Sequence, residues 1–348
     1  MSKNAKTLAA IVIVVIVAIV AYFGFTHAGA KETSDKTIKD LKIYFVPSKQ
    51  PENIVTMTAP MKGLLIKELK KEGYDVKKVD IKVGTSYEAA GEALTSGTAD
   101  IGFIPGGTYV MYQDGAKVLL TATRAGLNKN SSDPEKWNDG KPTEQTSTQS
   151  SKYRSIFIAG PSKKGQELAK KVNAGEKLTW EDINSAKWGL SSTTSSAGYI
   201  YPALWLNKNY KKTISDLKST VTVDSYGSGM ARLASGQIDV MPAYGDARRD
   251  FASAWTTDYK QPQSIWQETN VIGVSQEIYN DTISVSKKSK TMTPELEKAV
   301  SKAFINLAKT DAGKKVIAIY SHEGYEPAQS SNYDGERDAQ KVLKNLQK

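Results

Sequence analysis

Past residue 40 the apolar positions fall into short runs alternating with stretches of helical spacing. LKIYFVP at 41–47 reads as a buried strand that stops at Pro47, VDIKVG at 79–84 as a second, and TADIGFIP at 98–105 as a third. Between them, 54–72 has helical spacing with Asn53 as N-cap and Gly73 as stop, and SYEAAGEALTSG continues as a helix. Strands alternating with helices predict an α/β fold with a largely parallel sheet covered on both faces.

LTSGTADIGFIPGG at 94–107 matches LASGQIDVMPAYGD at 233–246: Leu, one residue, Ser-Gly, two residues, Asp, then an apolar strand and a Gly-containing loop. Each copy follows a glycine and hydroxyl turn, Gly84-Thr85-Ser86 in the first and Gly227-Ser228-Gly229 in the second. Such a repeat divides the chain into two similar lobes facing each other across a cleft. The first spans 41–152, ending in a polar stretch at 126–152 that lacks periodicity and reads as a surface loop. The second spans 153–270, and 271–348 returns to the first lobe and adds C-terminal helices. Asp100 and Asp239 occupy matched repeat positions and read as structural.

The N-terminus has a different pattern. Two lysines in MSKNAK precede 18 apolar residues from Leu8 to Phe25, long enough to span a bilayer. Ala28-Gly29-Ala30 then fits a signal-cleavage pattern. Residues 1–30 are thus a signal or anchor segment and 31–40 a polar linker. The remainder is expected outside the cytoplasmic membrane, tethered by the helix or released after Ala30.

Composition removes several chemistries. Without cysteine there is no disulfide, thiolate metal site or cysteine nucleophile. His27 and His322, the only histidines, both read as surface residues, so no histidine-based site is expected. The formal charge of +10 comes mostly from scattered lysines, which read as solvated faces rather than a nucleic-acid footprint, though a positive chain does gather anions. IFIAGPSKKGQE resembles a strand and P-loop, but Gln166-Glu167 stand where Lys-Ser/Thr is required. No Gly-x-Ser-x-Gly elbow precedes a suitable helix, and Ser284-x2-Lys287 lacks its companion motifs.

SSTTSSAGYIYP at 191–202 has the densest chemistry. AKWGLSS is strand-like and GYIYPALWLNKNY helical, so the hydroxyl run is the turn between them. Proline fits only where a helix has no bond to lose, so Pro202 sets the helix start near Ser196 to Gly198. Free amides and the positive end of the helix dipole, beside Ser195 and Ser196, suit an oxyanion. A plain Ser/Thr cap is the competing reading.

Together, SSAGYIYP, TSYEAAGEALTSGTADIGF, GQIDVMPAYGD, IYNDTISVSKK and GYEPAQSSNYD, in this order over about 41–346, resemble the periplasmic phosphonate-binding family. These are the solute receptors of phosphate, phosphite and phosphonate ABC importers. The resemblance implies a two-lobed type II periplasmic-binding-protein fold, no cofactor or metal, no catalysis, and an ABC permease and ATPase as partners. It implies that Ser195, Ser196 and the amides of Ala197 and Gly198 hold the phosphonate oxygens, with Tyr87 on the opposite wall and Thr108 assisting. Tyr226, standing where some members have histidine, and Ser228 would follow in the second lobe, while Asp246 would meet a cationic substituent. The sequence departs from the family's Ser-Thr-Ser-Gly at Ser196-Ala197. The alternatives are another small anion, such as a sulfonate or amino acid, or a membrane-tethered envelope enzyme using carboxylates.

Overall fold

The computed structural model describes residues 36–346. The apolar run at 8–25, His27 and the cleavage pattern at Ala30 lie outside the described residues. Among the described residues no helix is long and apolar enough to cross a membrane.

The alternating run Leu41–Phe45 buries Leu41, Ile43 and Phe45 and forms strand β2, which lies inside the first of two large sheets. It is preceded by β1 (Lys36–Ile38), which pairs with β3 (Tyr74–Val76) in a separate two-stranded ribbon. The first sheet also contains β4 (Val79–Val83), β5 (Ile101–Ile104), β6 (Ala116–Leu127), β13 (Thr282–Ser286) and β14 (Gly324–Pro327). Their order is β4-β2-β5-β13-β6-β14. The second sheet comprises β8 (Lys152–Ala159), β9 (Trp188–Leu190), β10 (Thr220–Thr222), β11 (Val240–Tyr244) and β12 (Asn270–Tyr279), in the order β10-β9-β11-β8-β12.

The two orders are the same path. In each sheet the first three strands run parallel with the earliest in the middle, β4-β2-β5 and β10-β9-β11. Beside the third lies an antiparallel strand that has just crossed from the other sheet, β13 in the first and β8 in the second. The sheets are therefore mixed rather than largely parallel, because each crossing strand enters against the direction of its neighbours. Aromatic packing fills the first core, where Phe45 stacks on Phe103 at 4.4 Å. The second core packs Trp188 edge-on against Phe157.

Several boundaries differ from the periodicity reading. The stretch 54–72 is two helices, Pro51–Thr58 and Met61–Lys71, separated at Ala59-Pro60, where proline has no amide to continue the ladder. Asn53 consequently lies within the first helix, while Gly73 stops the second with a φ of 81°. Polar stretch 126–152 is also more than a surface loop. Gln145–Ser150 forms β7 along β6, and Trp137 is buried in the second sheet's core. The chain returns from the second sheet at Asn280-Asp281 and not at 271, since Asn270–Tyr279 pairs with β8. There the two crossings bond to each other: the amide and Nδ2 of Asn280 donate to the carbonyls of Ser151 and Ser150 at 2.8 and 2.9 Å.

Asp100 and Asp239 perform one job in both halves. Each lies just before its sheet's third parallel strand and accepts from the backbone at or beside the first, Lys42 N at 2.8 Å and Lys187 N at 2.7 Å. Each also takes a serine hydroxyl from the loop after the crossing strand beside it, Ser289 after β13 for Asp100 and Ser162 after β8 for Asp239. Loss of either carboxylate strands an amide between strands. Asp100→Ala and Asp239→Ala should each cost about 1–3 kcal/mol in urea unfolding; a change within error at either position would refute this structural role.

Candidate functional site: a cavity between the sheets

The hydroxyl turn is built by local bookkeeping of donors. Ser195 is the N-cap of a helix that opens as one wide π turn over Ser196–Ile200 and continues as Tyr201–Tyr210. Ser195 Oγ accepts from Gly198 N at 3.2 Å, and Ser195 O accepts from the amides of both Tyr199 and Ile200. Pro202, in the first α turn, offers no donor, and the carbonyls that it leaves are taken elsewhere. Ala197 O accepts from Ser155 Oγ of β8 at 2.7 Å, and Gly198 O from Ser191 N at 3.2 Å. Gly198 is required for that close approach, because a Cβ there would lie 2.3 Å from Ser191 Oγ. Among the described residues no acceptor faces the amides of Ser196 and Ala197, so the positive end of the helix is open at these two groups.

Those two residues and Ser195 line a cavity between the sheets. Its other walls include Ser48, Lys49, Tyr87, Arg124, Tyr153, Tyr226 and Asp281. The space open to the centre of a water-sized sphere is about 40 Å³, or roughly three to four water positions. An anion of about five heavy atoms matches that size.

Tyr87 and Tyr226 enter from opposite halves at equivalent places. Each is the first residue of a helix whose N-cap serine, Ser86 or Ser225, accepts from the amide three residues on. The repeat therefore aligns Ser86-Tyr87 with Ser225-Tyr226, four residues away from the turn alignment read from glycine and hydroxyl content. Tyr226 OH lies 3.4 Å from Ser195 Oγ, and Tyr87 lines the same cavity as Ser195. Burial holds both phenols above their usual pKa, with Tyr226 pushed up to about 12, so both remain protonated donors.

The other sequence-predicted residues are placed differently. Ser196 lines the cavity, but its Oγ donates to Glu336 at 2.6 Å and accepts from Gly107 N at 3.0 Å. Gly198 gives its amide to Ser195. Thr108 is buried and donates to Thr194 across the interface, at 3.2 Å to Oγ1. Ser228 closes the capping box of Ser225. Asp246 is 2% exposed and faces Arg124 Nη1 at 3.6 Å and Arg249 Nη2 at 3.3 Å, behind the cavity wall. The two arginines balance its charge there, and it does not line the cavity.

The cavity's charged groups are ones that sequence reasoning missed. Lys49 follows β2, sits over the ring of Phe251 at 4.6 Å, and donates to Tyr244 OH and to Asp250 at 3.3 Å. Burial lowers its pKa, opposed by Asp250. Arg124, on β6, lies over the Tyr153 ring at 4.7 Å, and its Nη2 faces Asp281 at 3.7 Å. Burial disfavours its charge, but Asp281 and Asp246 outweigh that and hold its pKa above the ordinary value. Asp281 is held ionised despite burial by His322 and Arg124. His322, expected at the surface, is 2% exposed, and burial depresses its pKa, so it is neutral near pH 7. Lys49 in PSKQPEN at a strand's carboxyl end, and Arg124 inside the apolar run VLLTATRAG, were the available signals.

A small cavity lined by a helix N-terminus, a buried arginine and a part-buried lysine suits a small anionic solute. The family of phosphonate ABC-transporter periplasmic substrate-binding proteins matches residues 43–333, and the chain belongs to it. Among solved structures it is similar to a binding-protein component of a phosphonate ABC transporter from Pseudomonas aeruginosa, with a TM-score of 0.66, 14% identity, and 89% and 88% of the two chains covered. It is also similar to PhnD1 of Prochlorococcus marinus in complex with methylphosphonate, at TM-score 0.62, 15% identity, and 88% and 98% coverage. A third, XAC2383 of Xanthomonas citri bound to ATP, gives TM-score 0.60, 12% identity, and 89% and 98% coverage. No curated protein sequence matches the chain. At these identities the structural likeness concerns the fold.

Proposed function

We propose that the chain is an extracytoplasmic receptor that captures a small phosphorus oxyanion, a phosphonate, phosphite or phosphate, in the cavity between its sheets. It hands the anion to a permease driven by an ATPase and performs no chemical step. The halves 41–152 and 153–270, with the return segment, act as lobes that close by bending at the paired crossings. The N-terminal apolar run tethers the receptor, or is cleaved to release it.

The supporting observation is the pair of open amides at Ser196 and Ala197 beside Ser195, facing a space of oxyanion size. Neutral donors in a desolvated site favour an anion more than the same donors in water. Ser195 is the central side chain because its hydroxyl faces Tyr226 OH at 3.4 Å and shares the cavity wall with Tyr87. Ser196 acts through position: its hydroxyl is bonded to Glu336 and Gly107, leaving its backbone amide for the ligand.

Isothermal titration of the full chain should detect methylphosphonate, phosphite or phosphate. Ser195→Ala should weaken it about tenfold, the loss of one charge-assisted hydrogen bond of about 1.4 kcal/mol. Unchanged affinity in that variant would remove Ser195 from the site. A sulfonate that binds while all three phosphorus anions fail would overturn the ligand class.

A further inference from the structure

We propose that Arg124 is a direct ligand of the captured anion and that the site takes phosphorus oxyanions with small uncharged substituents while excluding aminophosphonates. The inference rests on the proposed function and narrows its ligand.

Arg124 is 5% exposed and lines the cavity, yet its Nε and Nη1 have no hydrogen-bond partner. Asp246 and Asp281 balance its charge from 3.6 and 3.7 Å, beyond hydrogen-bond reach. The rings of Tyr153 and Tyr244, 4.7 and 5.5 Å from the guanidinium carbon, pack against the group. A guanidinium carries five N–H donors in a planar fork suited to oxyanions, and buried donors in folded proteins almost always have acceptors. Nη1 is turned toward Asp246 outside the lining, so oxygens of a bound phosphonate supply acceptors to the part of the guanidinium that lines the cavity.

The same arrangement rejects an ammonium. Asp281 is the carboxylate lining the cavity, and it faces Arg124 Nη2 at 3.7 Å and His322 Nε2 at 3.4 Å. Asp246 and Asp250 lie outside the lining, engaged by Arg124 and Arg249 and by Lys49 and Arg249. A cationic substituent would therefore enter beside Lys49 and Arg124, whose two positive charges face the single carboxylate of the lining, Asp281, and would meet net like charge in a desolvated space.

Ethylphosphonate and aminomethylphosphonate have the same number of heavy atoms and differ in one charged group. Calorimetry on the full chain at mildly alkaline pH, where both phosphonates are dianions and the amine is protonated, should show ethylphosphonate at least tenfold tighter. Arg124→Lys retains a charge between the two aspartates but loses the fork, and should bind methylphosphonate ten- to thirtyfold more weakly while unfolding cooperatively. Aminomethylphosphonate binding as tightly as ethylphosphonate would overturn the exclusion, whether or not the variant folds. Wild-type affinity in a folded Arg124→Lys protein would overturn the contact. A wild-type chain that binds neither phosphate, phosphite nor methylphosphonate would instead refute the proposed function, and this inference with it.

Discussion

Gly107→Ala should weaken anion capture by ten- to a hundredfold, although residue 107 does not line the cavity. Gly107 stands in the short helix Gly106–Met111 that follows Pro105, itself a cavity residue. Its amide donates to Ser196 Oγ at 3.0 Å and its carbonyl accepts from Gln340 Nε2 at 2.8 Å, so it joins the first half to the hydroxyl turn and to the C-terminal helix. A Cβ here would sit 2.5 Å from both Ile200 Cδ1 and Thr194 O, and 2.8 Å from Glu336 Oε1. The isoleucine can rotate, but the Thr194 carbonyl is backbone in the turn itself. One methyl group therefore pushes the halves apart, at an overpacking cost of about 1–3 kcal/mol. Since every tenfold in affinity is about 1.4 kcal/mol, that cost sets the expected loss. Titration with methylphosphonate measures it, and a wild-type dissociation constant would show that the contact across the interface does not govern closure.

Much of this interface was legible only where local physics decided it. The hydroxyl turn and its helix start could be read because Pro202 and a serine cap act within a few residues. The repeat was legible as Leu-x-Ser-Gly and a following Asp, and that Asp has the same hydrogen-bonding role in both halves. What failed were residues whose partners are remote in sequence. Thr108 and Ser228 carry the expected hydroxyls, but neighbours consume them in a cross-interface bond and a capping box. Arg124, Lys49 and Asp281 are more than 70 residues apart and meet only because β6, the loop after β2 and the return crossing converge between the sheets. His322 lies in a polar tract, SHEGYEP, yet packs against the rings of Tyr320 and Tyr325. Composition alone gave no sign of that burial.

Glu336→Gln should remove a pH dependence of stability worth about 3 kcal/mol. The Glu336 carboxyl lies 3% exposed on the C-terminal helix, where burial pushes its pKa from 4.5 up to about 7 against the pull of its bonds from Ser196 and Tyr201. Because the folded pKa is raised, the folded state binds the proton more readily than the unfolded chain. The resulting stability is complete below about pH 4.5 and is lost as pH rises through about 7. A shift from 4.5 to about 7 corresponds to about 3 kcal/mol at 1.36 kcal/mol per pH unit. Glutamine is neutral at every pH and can still accept from Ser196, so the variant should be more stable than wild type at about pH 8 and nearly equal to it at about pH 5. Urea unfolding of both proteins at these two values reads the difference directly, with the other titrating groups common to both. Parallel pH profiles would mean that Glu336 remains ionised when folded. Where the raised pKa holds, ionisation of Glu336 as pH rises through about 7 sets a charged carboxylate behind Ser196, opposing the anion from the far side of the turn, and anion affinity should fall there. A fall in wild-type affinity near pH 7 that Glu336→Gln abolishes would tie the C-terminal helix to capture as well as to stability.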